Sequence, residues 1–289
     1  ESWELSGVPG DESIVAEGDQ KGMSLPRLLG KYKEEIVGED NYNRYGYHFP
    51  LLIKFIDAED DLSVQVHPDD ELAQERHECP GKTEMWYVMD HKPNAKLLVG
   101  LNEEIDVNEY RQRVKDKKFI ELVQPYEVKK GDIFYLPAGR VHAIGAGCFV
   151  AEIQQTSNIT YRIDDYDRRD KEGHPRELHT ELAADAIDFT VYPDCRTKYE
   201  AKKDEPVEVV ACPHFVTSVY DLTEEMTCDY SSLDSFVIYV CLSGGASLFT
   251  EDGEEYSMEY GETILIPAVN ESIKIVPDEG GVKFLETYV

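Results

Sequence analysis

Short runs of β-branched and aromatic residues recur through the first half of the chain: LLIKFIDA (51–58), LSVQVH (62–67), MWYVMD (85–90), AKLLVGL (95–101), DIFYLP (132–137) and CFVAEIQQ (148–155). Gly, Pro, Asp and Asn separate them, a pattern that predicts strands joined by turns. Helical periodicity is confined to LPRLLGKYKEEIV (25–37), residues 107–123 and ELHTELAADAIDF (177–189), which predict short helices. A charged connector, RTKYEAKKDEPVE (196–208), leads into a second strand-rich region that runs to Val289. Many short strands with regular turn signals suggest a barrel or sandwich.

An internal repeat sharpens that expectation. GDIFYLPAGRVHAIG begins at Gly131 and reads G-x5-P-x-G-x2-H, and GETILIPAVNESIKI begins at Gly261 and reads G-x5-P-x-V-x2-S. Similar approaches, QPYEVKKG and EEYSMEYG, precede the two. Glycine supplies the tight turn and proline ends the ladder pairing. The economical reading is a mainly β protein with two tandem, related β-barrels and a few short helices. The expected division is a metal-binding domain over residues 1–195 and a degenerate barrel over 196–289. The first repeat ends on His142 and the second on Ser272, and the counterpart of Glu84 is expected at Ser235 or Asp234.

Composition narrows the possible partners. Lys and Arg number 29 against 59 Asp and Glu, for a net charge of −30. That balance argues against nucleic acid and against an anionic membrane surface. A small phosphorylated substrate stays possible, since a local basic cluster governs its own pocket within about 8 Å at physiological salt. No apolar run approaches the roughly 18 residues of a membrane span, and no secretory signal is visible. The six cysteines form no C-x-x-C pair, which suggests reduced thiols and a cytoplasmic location.

Candidate chemistry centres on SVQVHPDDELAQERHECPGKTE, residues 63–84. Gln65 and His67 are two apart, so on a strand they share a face. A loop is expected next, and then Glu84 opens another apolar run. With His142 these residues make two imidazoles, one carboxylate and a glutamine oxygen, a set that suits zinc or another borderline divalent ion. The alternative is a group of satisfied polar residues on a half-exposed face. Lys82, two residues before Glu84, is expected in the same cavity, its pKa lowered beside a cation. Arg140, beside His142, is a further candidate for binding substrate.

The G-x5-P-x-G-x2-H element resembles the second motif of the cupin superfamily. LSVQVHPDD, GKTEMWYV, GDIFYLPAGRVHAIGAG and EIQQTSNITYR together resemble the type I mannose-6-phosphate isomerases in their short bacterial form, from residue 1 to about 189. The resemblance implies one zinc per chain, held by Gln65, His67, Glu84 and His142. It implies active-site roles for Ser63, Lys82, Glu152 and Arg162, with Arg168 as a second basic group. Mannose 6-phosphate and fructose 6-phosphate would interconvert through an enediol, with Arg162 as the phosphate clamp. Asn158 stands where family members often carry Asp, so ring opening is expected to be served differently here. Competing readings are a cupin isomerase or oxygenase acting on another sugar with iron or manganese, and a metal-holding sugar sensor without turnover. A sensor has no need of a proton-transfer group such as Lys82 beside the metal.

Overall fold

All six apolar runs form strands in the computed structural model, which describes residues Glu1–Val289. An N-terminal segment carries strand β1 (Ser2–Leu5) and helices α1 (Leu25–Tyr32), α2 (Glu34–Val37) and α3 (Glu39–Tyr45). Next come β2 (Leu51–Asp57), β3 (Val64–Val66), α4 (Asp70–His77), β4 (Glu84–His91), β5 (Lys96–Leu101) and α5 (Val107–Lys115). They are followed by β6 (Val123–Glu127), β7 (Ile133–Leu136), β8 (His142–Ile144), β9 (Cys148–Gln155), β10 (Tyr161–Asp164) and α6 (Thr180–Ala186). The C-terminal third holds β11 (Val207–Ala211), β12 (Val216–Leu222), β13 (Met226–Asp229), β14 (Val237–Phe249), β15 (Glu255–Glu259), β16 (Thr263–Ile266) and β17 (Ser272–Tyr288).

The chain divides into two compact units, Glu1–Ser2 with Ile53–Thr197 and Trp3–Leu52 with Lys198–Val289. The segment Trp3–Leu52 thus groups with the C-terminal strands, where the sequence suggested a single boundary near residue 195. Within the first unit, β2, β9, β4 and β7 lie side by side in one sheet, and β10, β3, β8, β5 and β6 form another. Trp86, Val88, Phe134 and Val150 from the first sheet share one core with Leu97, Val99 and Ile144 from the second. Each such fully buried side chain contributes about 1.5–3 kcal/mol. On β3, Val64 and Val66 point the other way and pack with Tyr110, Phe119 and Ala183 of a helical layer. The period of two therefore leaves Gln65 and His67 facing inward between the sheets.

Helices depart from expectation where the backbone turns left-handed. The pattern over 25–37 breaks at Lys33, with φ 51°, into α1 and α2. The stretch 107–123 stops at Lys115, and Lys117 takes φ 58° before a 3-10 turn at Phe119–Leu122. Residues 70–77, read as loop, form α4. This helix has no apolar stripe, with Ala73 its one buried residue. Its start is held by the Asp69 carboxylate, which accepts from the Leu72 amide at 2.9 Å, and Arg76 and His77 sit in its last turn. Caps and the helix dipole stabilise what periodicity does not announce.

The second unit is one sheet in the order β11-β12-β17-β14-β15, with β13 beside β17 and β16 beside β14. Register shifts at 241/243 and 244/246 bend β14 against β17, and the sheet curls over a core that includes Leu222, Tyr239, Ile275 and Phe284. In neither unit does a ladder close into a barrel.

The repeat is nonetheless structural. Gly131 and Gly261 take φ 91° and 84°, and Arg140 and Asn270 donate their amides to Pro137 and Pro267 at 3.1 and 3.0 Å. Val88 N donates to Asp132 O, and Cys241 N to Glu262 O, each at 2.9 Å. Leu136 faces Glu84 across the ladder, while Ile266 faces Val237. The counterpart of Glu84 is therefore Val237, buried and apolar, and neither Ser235 nor Asp234. Asp234 has other work, accepting from the amides of Glu39 and Asp40 at the start of α3, both at 2.8 Å. Asp234→Ala is expected to lower stability by about 1 kcal/mol, the usual value of a lost cap. An unchanged urea midpoint would show that this contact contributes nothing.

Candidate metal centre

Strand register assembles the centre. Gln65 of β3 lies directly opposite His142 of β8, and Arg162 of β10 lies opposite Gln65 on its other side. Directly opposed residues share a face, so all three side chains emerge toward the same space. From the other sheet, Glu84 and Trp86 of β4 face Gln154 and Glu152 of β9. Lys82 enters β4 through a tight approach. A Cβ on Gly81 would stand 2.5 Å from the backbone at Asp69 and Asp70, so only glycine lets this segment lie against the start of α4.

His67, Glu84 and His142 are buried, and one donor atom from each lies within 4.8 Å of the others. His142 Nε2 is 3.1 Å from Glu84 Oε1 and His67 Nε2 is 3.6 Å from Oε2. Both Nδ1 atoms lie 2.8 Å from backbone carbonyls, of Ile159 for His67 and of Arg140 for His142. A carbonyl can only accept, so each ring carries its proton on Nδ1 and turns an Nε2 lone pair toward the carboxylate. His67 Nε2 and Glu84 Oε1 have no hydrogen-bond partner, and Oε2 meets only the Lys82 ammonium at 3.3 Å. Buried acceptors converging on one point beside a single ammonium fit a cation. The Gln65 amide nitrogen lies 3.4 Å from His142 Nε2, and rotating the amide by half a turn would present its oxygen as a fourth ligand.

Burial sets the local proton affinities. It pushes Glu84 up to about 7 against the pull of Lys82, His142 down to about 4, and His67 well below its usual range. Lys82 answers first to the protein's own groups. Burial opposes its charge, but Glu84, with Nζ 3.3 Å from Oε2, and Glu152 outweigh it and raise the pKa. A cation neutralising Glu84 would remove part of that hold. Glu152 is held ionised: burial would raise its pKa, but Lys82, Lys54 and the Trp86 indole together lower it. Lys54 Nζ stands 3.4 Å from Oε1 of Glu152 and Trp86 Nε1 donates to Oε2 at 2.8 Å.

The remaining candidates separate. Ser63 is buried with Oγ 3.5 Å from Gln65 Oε1. Arg162 donates through Nη1 to Glu177 O at 3.0 Å, and its buried Nε has no partner. Arg168 and Arg176 both clasp Asp165, so Arg168 is committed to a structural pair. Arg140 lays its guanidinium 4.1 Å from the Tyr192 ring centre and donates to Cys195 Sγ, while only its carbonyl serves the centre. Asn158 is exposed in the turn after β9. Lys54, Trp86 and Gln154 escaped the sequence reading. The signal for Trp86 was its spacing of two from Glu84, and for Lys54 a lysine inside an otherwise apolar strand.

A two-sheet protein with a buried His-Glu-His cluster beside an ion-paired lysine defines the class as a candidate metalloenzyme. The family model for the catalytic domain of type I phosphomannose isomerase matches residues 1–112. The chain is 33% identical over 272 residues to mannose-6-phosphate isomerase of Bacillus subtilis, covering 92% of this chain and 83% of that one. It is 32% identical over 268 residues to that of Streptococcus mutans, with 92% and 82% covered. The crystal structure of the Bacillus subtilis mannose 6-phosphate isomerase superposes with a TM-score of 0.84 at 30% identity, over 99% of this chain and 88% of that one. The chain belongs to the mannose-6-phosphate isomerase family.

Because the Glu84 carboxyl must shed its proton to bind a cation, apparent metal affinity is expected to fall by about tenfold per pH unit below about pH 7. Competition titrations against a chelator at several pH values would measure the slope. An affinity independent of pH between 5 and 7, the window below the Glu84 pKa of about 7, would exclude Glu84 as a ligand.

Proposed function

We propose that the protein is a zinc-dependent aldose–ketose isomerase that interconverts mannose 6-phosphate and fructose 6-phosphate through an enediol. The observation that carries this reading is the gathering of His67, Glu84 and His142 around one buried point, with the Gln65 amide 3.4 Å from His142 and with Lys82 and Glu152 close by. We assign the chemistry to the residues before 196, one metal per chain, and no metal to those after. Val237 and Ser272 in place of Glu84 and His142 support that assignment. The tandem repeat supports a relationship to the cupins. Six cysteines present as free thiols suit a reducing cytoplasm.

Zinc in this cluster would supply Lewis acidity to a sugar oxygen. The chain's own groups do the rest. Isomerisation takes a proton from C2 of the aldose, delivers one to C1, and moves a hydroxyl proton between the two oxygens. Glu152, held as a carboxylate, is placed to accept a proton, and Lys82, held as an ammonium, to return one. Arg162, on the same face as Gln65 and with Nε unengaged, is placed to grip the phosphate. Arg168 and Arg140 serve as supports, since Asp165 and Tyr192 hold them. No helix of the protein is long and apolar enough to cross a membrane.

A coupled assay converting mannose 6-phosphate to fructose 6-phosphate, with and without chelator, tests the reading. Activity that disappears with chelator and returns with zinc is expected. Stoichiometric metal without turnover would favour a sensor. Lys82→Ala is expected to keep its metal and lose about 10²-fold or more in kcat, the scale of lost acid–base catalysis. Near-normal turnover would remove Lys82 from proton transfer. Arg162→Lys is expected to raise KM for phosphorylated sugar, because a point charge cannot reproduce the bidentate fork. An equal loss with unphosphorylated mannose would show that Arg162 does not grip phosphate.

A further inference from the structure

The second unit carries a cavity of its own. Glu286 of β17 faces Tyr239 of β14 across the ladder, as Glu152 faces Trp86 in the first unit. On β13, Cys228 is buried in the same core as Tyr239, while its neighbour Asp229 is exposed. Between these strands lies a cavity of about 270 Å³ lined by Tyr220, Cys228, Asp229, Tyr230, Glu286 and Tyr288, among others. Such a volume is slightly below the range of drug-sized sites.

The lining dictates which ligand fits. Glu286 is 5% exposed, and Tyr230 donates its hydroxyl to Oε2 while Tyr220 donates to Oε1 at 3.3 Å. Tyr230 has then spent its proton, so Tyr239 donates to it at 2.5 Å. Burial raises the Glu286 pKa, and the Tyr230 and Tyr220 hydroxyls pull against that rise. Tyr220, Tyr230 and Tyr239 spend their protons within this network, and the hydroxyls of Tyr288 and Ser232 lie outside it. Two carboxyl groups line the cavity, Glu286 buried and Asp229 exposed, and no Lys, Arg or His does. A phosphate or carboxylate ligand would meet like charge with no basic side chain to offset it. A cation bearing N–H groups and a short apolar portion would find a carboxylate, free acceptors and aromatic walls.

We infer that this cavity is a binding site for a small organic ammonium ion, with Glu286 facing its charge and the tyrosines enclosing its carbon chain. The site is separate from the metal centre and holds no group assigned to isomerisation.

Calorimetric titration of the full-length, metal-loaded protein with n-butylammonium tests this, with n-butanol and acetate as the neutral and anionic counterparts. Saturable binding of the amine is expected, with n-butanol weaker by about tenfold or more, the scale of a hydrogen bond to a charged group. Glu286→Gln should weaken the amine by a similar factor and leave metal content unchanged. If that variant does not fold, the exposed Asp229→Asn and the half-buried Tyr288→Leu decide the matter, each expected to weaken amine binding. No saturable amine binding at millimolar concentration, equal binding of n-butanol, or wild-type affinity in Asp229→Asn and Tyr288→Leu together would overturn the inference.

Discussion

Two imidazole lone pairs and a carboxylate are pressed together out of contact with water, with only the Lys82 ammonium and the Gln65 amide beside them. His67 and His142 have given their Nδ1 protons to carbonyls, and the Nε2 of His142 stands 3.1 Å from Glu84 Oε1. A buried polar atom without a partner costs about 1–3 kcal/mol, and two such atoms, His67 Nε2 and Glu84 Oε1, meet here. A divalent cation would resolve both at once. The carbonyls that fix the tautomers are therefore as much a part of the centre as the ligands. Around this point charge is arranged in alternation: Lys82 against Glu84 and Glu152, then Lys54 and the Trp86 indole against Glu152. Removing one member leaves its neighbour buried and unpaired, at a cost in stability.

The second unit shows the same strand-and-turn scheme released from that constraint. The glycine turn, the proline-ended strand and the ladder register all persist. With Val237 for Glu84, the corresponding space is partly filled by apolar side chains and partly by a tyrosine–glutamate network. The persistence of the turns reflects backbone geometry, which any sequence with glycine and proline at those places satisfies.

Much of this could be read from residue order alone. Runs of β-branched and aromatic residues between turn residues located the strands, and spacing pointed to His67, Glu84 and His142, which the fold brings together. What escaped depends on pairings that are distant in the chain. Helix α4 is held by caps and end charges and shows no periodicity. Lys54 reads as an odd lysine in an apolar strand until β2 is laid beside β9 and Glu152 meets it. Spacing revealed Glu84 beside Lys82 but left unseen that Glu152 converges on the same ammonium. The charge run RIDDYDRRD did not disclose that Asp165 accepts from both Arg168 and Arg176.

X-ray absorption at the edge of the bound metal tests the central claim most directly, because it reports the ligand atoms without reference to activity. The account predicts a first shell of nitrogen and oxygen only, with the outer scattering of two imidazoles. Replacing Glu84 with Gln should weaken or remove the bound ion. A sulfur in the first shell, or scattering from one imidazole or none, would contradict it.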